Sequence, residues 1–100
     1  MGRHIHRVLI VTSSFHIEVA QRIAVAFGFS PTAIVTAERE GYKTFFIPPL
    51  GGKEDWPNTE IHGRKLDEYM DSLDGARGNY EYALVEYGND TLAKVVRNNQ

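Results

Sequence analysis

Ile5-His6-Arg7-Val8-Leu9-Ile10-Val11-Thr12 is the stretch on which the fold turns. It is rich in β-branched residues and almost continuously apolar after Arg7, the pattern of a central strand covered on one or both faces. Thr12-Ser13-Ser14 then offers hydroxyls to cap a helix, and Glu18 falls in the first turn, where the helix dipole favours a carboxylate. Ile17, Ala20, Ile23, Ala24 and Phe27 recur at three- and four-residue spacing, the buried stripe of an amphipathic helix. Gly28 supplies a left-handed end and Pro31 prevents resumption.

Two strand-like runs follow, Thr32 to Ala37 and Tyr42 to Ile47. Gly41 between them tolerates positive φ, so the pair predicts a hairpin. Pro48-Pro49 ends the second run, because neither residue donates to a ladder. Leu50 to Pro57 reads as a loop. A second helix, capped by Asn58 or Thr59, carries Leu66, Tyr69, Met70 and Leu73 as its apolar stripe and stops at Gly75. Asn79 to Tyr87 is a further strand, Gly88-Asn89-Asp90 a turn, and Thr91 to Val96 a short last strand. The order β-α-β-β-α-β predicts an α+β, ferredoxin-like sandwich: an antiparallel sheet, two helices on one face, and an optional extra C-terminal strand.

Composition bounds the rest. One hundred residues make a single domain, and 42% hydrophobic with 24% charged is ordinary for a globular chain. No apolar run approaches the ~20 residues of a membrane span, and Val8 to Val11 is too short for a signal-peptide core. The expected location is the cytoplasm, with no membrane partner. The chain has no cysteine, which removes disulfides, thiolate metal sites and thiol nucleophiles. A net charge of −2 argues against nucleic acid as a partner, since phosphate attraction carries most nonspecific affinity.

Each candidate for chemistry has a plainer reading. His4-x-His6 puts two imidazoles on one side of a strand but lacks a third ligand, so no metal or other cofactor is expected. His16 and His62 sit near helix starts as conceivable bases, yet no serine–carboxylate partnership accompanies them, and Ser13 and Ser14 read as caps. A small enzyme around His16 and Ser14 is the remotest alternative. Glu60, Asp67, Glu68 and Asp71 flank Arg64 at helical spacing, the pattern of a solvated, charge-laced face. Gly51-Gly52-Lys53 before a helix hints at an anion cradle, but it lacks phosphate-loop spacing and is opposed by Glu54 and Asp55.

Two surfaces remain as tentative binding elements. One is the Pro/Gly loop from Phe46 to Pro57, with Lys53 and the sole tryptophan, Trp56. Trp56 is expected to staple the loop onto the second helix near Leu66 or Met70; exposed, it would be an anchor for a partner. The other is the open sheet face, where Tyr42, Phe46, Tyr80 and Tyr82 would supply the aromatics that RNA-recognition sheets stack on bases. The leading expectation is a non-catalytic module that binds a protein partner as yet unidentified, with self-association left open. A small RNA-binding domain is the alternative.

The loop, together with Val85-Glu86-Tyr87-Gly88-Asn89-Asp90, resembles a group of small phage and bacterial proteins without assigned activity. These share a P-x-G-x-K-E-x-W-type loop, a charged helix and a V-E-x-x-Y-G-D-D-like hairpin. The likeness spans Phe46 to Asp90. The chain departs from it at Pro49-Leu50-Gly51-Gly52, where an aspartate-containing turn is expected, and in the shorter spacing of Val85-Glu86-Tyr87-Gly88. The resemblance implies phage or mobile-element ancestry and carries over no functional residue.

Overall fold

The apolar run after Arg7 forms β1 (His4–Ser13), the hub of the sheet, in a computed structural model that describes residues 4–38, 40–50, 52–53, 56–76, 80–88 and 91–99. Along one edge β1 pairs antiparallel with β3 (Lys43–Ile47) and, at its other end, with the two-residue β4 (Gly52–Lys53). Along its other edge it pairs antiparallel with β5 (Glu81–Gly88). The order is completed by β2 (Val35–Thr36) outside β3 and β6 (Thr91–Asn98) outside β5, giving β2-β3-β1-β5-β6. The protein is therefore α+β with an antiparallel sheet and two helices, α1 (Ile17–Ala26) and α2 (Pro57–Gly75). The optional terminal strand is present as β6. The order differs from a four-stranded ferredoxin-like sandwich by the added β4 and β6.

Alternation along the strands decides what is inside. The register aligns Leu9 with Ile47 and Leu84, and Val11 with Phe45 and Tyr82. All six are buried and share one core with Ile17, Ala20 and Ala24 of α1 and Leu66, Tyr69, Met70 and Leu73 of α2. The helical stripes read from the sequence thus cover one face of the sheet, as expected. Burying a leucine or phenylalanine there contributes about 1.5–3 kcal/mol over leaving it in water. Buried Tyr69 donates its hydroxyl to the Ala20 carbonyl at 2.7 Å, which ties the two helices together. Burial holds that phenol well above its usual pKa, so it remains a donor. Phe27, Phe29 and Tyr69 close the helix pair as an aromatic cluster with ring centroids 5.7–6.4 Å apart.

Several local expectations are corrected. The Thr12-Ser13-Ser14 hydroxyls do not cap α1; its N-cap is His16, left-handed at φ 57°, with no side-chain cap bond. The Ser13 hydroxyl is used on the next turn instead, accepting from the Phe15 N–H at 3.0 Å and donating to the Phe15 carbonyl at 2.6 Å. The Tyr80 hydroxyl donates to the His16 carbonyl at 3.0 Å and helps hold the strained residue. Only Val35–Thr36 of the expected Thr32–Ala37 strand joins the sheet. Thr32 takes both backbone groups of Phe46, its N–H bonding the carbonyl and its hydroxyl accepting from the N–H, so the regular ladder stops there. The hairpin turn itself is as expected: Glu40 and Gly41 both have positive φ, and the Ala37 N–H reaches the Tyr42 carbonyl at 2.7 Å. Neither Asn58 nor Thr59 caps α2; Trp56 stands at the N-cap and Pro57 opens the helix. The Asn89-Asp90 turn lies outside the described residues.

Gly88 has a separate reason. A Cβ there would sit 2.1 Å from the His4 carbonyl oxygen, so only glycine lets β5 close against the start of β1.

Adjacent positions on β1 test the alternation. Val11→Thr buries a hydroxyl in an apolar core and is expected to cost about 1–3 kcal/mol in urea denaturation. Ile10→Thr, on the opposite face, keeps a β-branched strand former and is expected to cost less than about 1 kcal/mol.

Candidate functional site

The even-numbered residues of β1 point away from the helices. Across the sheet they align in rows: Val35, Thr44, Thr12 and Glu81; Phe46, Ile10, Ala83 and Asn98; Val8, Val85 and Val95; His6 and Tyr87. The two middle rows are apolar except for Asn98 at the β6 end of one of them. None of the residues in these rows belongs to the buried core or to the hydrophobics packed against it. Phe46 and Tyr87 are 37% and 38% exposed, and Val95 is 54% exposed. Thr12 and Thr44 share a hydroxyl–hydroxyl hydrogen bond of 2.9 Å, and the rings of His6 and Tyr87 lie 5.1 Å apart. No lysine or arginine stands in these rows, so the face offers apolar contact at its centre and hydrogen-bonding groups at its ends.

The opposite face, between α2 and the β5–β6 hairpin, carries a charged groove of about 790 Å³. Arg97 of β6 reaches Asp67, Asp71 and Asp74 of α2 at 3.4, 2.7 and 3.3 Å. Its guanidinium lies 5.8 Å from the centre of the Tyr82 ring. Its hydrogen bond to the Asp71 carboxylate raises the Arg97 pKa still further, so it is a permanent cation. At the other end Arg7 pairs with Glu86 at 3.2 Å and donates to the Thr59 carbonyl at 3.5 Å. The Arg97 pairs fasten α2 to β6, while Arg7 joins β1 to β5 and to the start of α2. Each exposed pair is worth only about 0.2–1 kcal/mol, but several share one arginine and hold it in place.

The residues picked out by sequence separate accordingly. Phe46 lies on the open face, and Tyr42, in the turn before β3, is 37% exposed. Tyr82 does not belong to that face: it is 4% exposed, and its hydroxyl donates to Asp74 at 2.9 Å. Tyr80 is buried as well. Both stand at positions of β5, or just before it, whose alternation matches Leu84 on the helix side. Lys53 enters β4 opposite His4, while its side chain, Gly51, Glu54 and Asp55 lie outside what is described. Trp56 is not the buried staple expected; it is 48% exposed at the start of α2. Asp67 and Asp71 lie on a solvated, charged face of α2, as expected, and both reach Arg97 of β6. Sequence reasoning missed Val8, Ile10, Val85, Tyr87 and Val95 as a surface, because an unbroken apolar run does not announce which of its residues face the helices.

His62 is half-buried, its ring edge-on to Phe29 at 5.5 Å. Burial, and then the charges of Arg7 and Lys65, lower its pKa. Among the described residues no three His, Cys, Asp or Glu side chains come together to hold a metal, and no helix is long and apolar enough to cross a membrane. Comparison with family models, curated proteins and solved structures finds no match.

Two measurements follow from these environments. A half-exposed Trp56 is expected to show red-shifted emission that acrylamide quenches readily. Because folded His62 holds its proton less tightly than the ordinary value of 6.5, its neutral form supports the fold above that pH, and stability falls as pH drops below it. His62→Gln is expected to remove that part of the slope, read from urea midpoints at about pH 7.5 and about pH 5.

Proposed function

We propose that the protein is a non-catalytic, cytoplasmic protein-binding module whose working surface is the open face of the sheet. The observation that carries this reading is the pair of apolar rows, Phe46-Ile10-Ala83 and Val8-Val85-Val95, left uncovered by either helix. Contiguous apolar surface rimmed by polar groups is where soluble proteins meet partners. In this reading β2-β3-β1-β5 with α1 and α2 is the split β-α-β core of a ferredoxin-like fold. Strands β4 and β6 are additions, and β6 widens the open face by Val95. The resemblance of Phe46 to Asp90 to phage and bacterial proteins makes an accessory role of that kind part of the proposal.

The RNA-binding alternative draws less support. The open face keeps Phe46 and Tyr87 for stacking but has no cation in its rows to meet phosphates.

Val85→Lys sets a charge in the middle of the face at a half-buried position, whereas Val25→Lys does so on an exposed position of α1. Both variants are expected to fold, as judged by circular dichroism. Protein association by the purified chain, with itself or with a captured protein, is expected to be lost in Val85→Lys and kept in Val25→Lys. Equal association by both variants, or single-stranded RNA binding abolished by Phe46→Ala, would overturn the proposal.

A further inference from the structure

We infer that the protein bound by this face is a second copy of the same chain, the two sheets meeting face to face about a two-fold axis that runs along β1. This inference rests on the protein-binding reading above. Its first support is the shape of the central row. Phe46 on β3 and Ala83 on β5 both align with Ile10, one strand to either side of β1. A two-fold along β1 exchanges those flanking positions, so the large ring of each copy lies over the smallest side chain of the other. Val8 and Ile10 then meet their own counterparts on the axis, and Glu81 comes opposite the Thr44 hydroxyl. A two-fold across the strands would instead set Ala83 against Val85 and leave Phe46 with no small residue to fill. Interiors are close-packed, so pairing large with small is the arrangement that leaves no void.

The second support is size and charge. Four strands about 4.8 Å apart, with rows running from His6 to Thr12, present a footprint of roughly 400 Å² on each copy. Twice that is below the ~1,000 Å² at which stable interfaces begin and falls in the range of weak, transient contacts. The face is therefore sufficient for a weak, reversible dimer and would be undersized for an obligate one. Its two middle rows carry no charge, so burying them against their own copies leaves no unpaired ion. The exposed outer edge of β6 is the competing route to self-association. It carries Lys94 in its middle and two irregularities in its pairing with β5, both of which discourage edge-to-edge pairing.

The absence of native cysteine makes the geometry directly readable. Wild-type protein is expected to shift from monomer to dimer in sedimentation velocity over about two decades of concentration around the micromolar range. Single-cysteine chains, Phe46→Cys and Ala83→Cys, each checked for folding by circular dichroism, are mixed and oxidised. The mixed disulfide is expected to exceed either homodimeric disulfide several-fold. A dimer whose disulfides form instead between Leu92→Cys chains would place the contact at the β6 edge and overturn the inference. A wild-type monomer at all concentrations that still captures another protein, with capture lost in Val85→Lys, would overturn the inference and leave the protein-binding reading standing. A monomer whose associations ignore Val85→Lys would overturn both.

Discussion

The structure depends on β1 being paired along both edges while its two faces meet different environments. Three strands bond to it, and β3 and β5 inherit its alternation: Leu9 and Val11 fix Ile47, Phe45, Leu84 and Tyr82 as core. A strand with period-two side chains cannot slip by one residue without exchanging its whole buried set for its exposed one. The same constraint that builds the core therefore builds the apolar face behind it. Both are consequences of one run of hydrophobic residues.

Polar groups around this core fasten elements rather than arrange chemistry. Tyr69 ties α2 to α1, Tyr80 steadies the left-handed His16, and Tyr82 reaches Asp74. Asn99 adds to the same scheme, accepting from the Tyr82 N–H and donating to the Tyr80 carbonyl, which extends the hold of the terminal segment on β5. With Arg97 bridging three aspartates of α2, the last hairpin is bound to the helix layer as well as to the sheet. That bracing keeps β6 in the plane of the sheet, and with it the fifth strand of the open face. A four-stranded sheet would present a smaller and more easily covered surface.

Much of the architecture was legible before any coordinates. The helical stripes Ile17-Ala20-Ala24 and Leu66-Tyr69-Met70-Leu73, the glycine ends at Gly28 and Gly75, and the Gly41 turn each rest on local rules, and local rules act within a few residues. The misplacements share a different origin. Ser13 was read as a cap because its hydroxyl suits one, but the turn at Phe15 captured it. The place of Trp56 just before α2 suggests a staple, but it stands at the N-cap and is 48% exposed.

By itself the sequence determined the fold class, the order of the longer elements (though not β4 within the expected Leu50–Pro57 loop), the buried stripe of each helix and the absence of thiol chemistry, since all of these follow from composition and near-neighbour spacing. Only the tertiary structure decided which side of each strand faces water. Val8 and Leu9 are alike in chemistry, as are Ile10 and Val11, and Tyr82 is as aromatic as Tyr87. What separates them is pairing register across residues far apart in the chain, such as Val11 with Tyr82 and Leu9 with Ile47. Register is settled by the joint burial of several strands and two helices, a cooperative sum that no single segment contains.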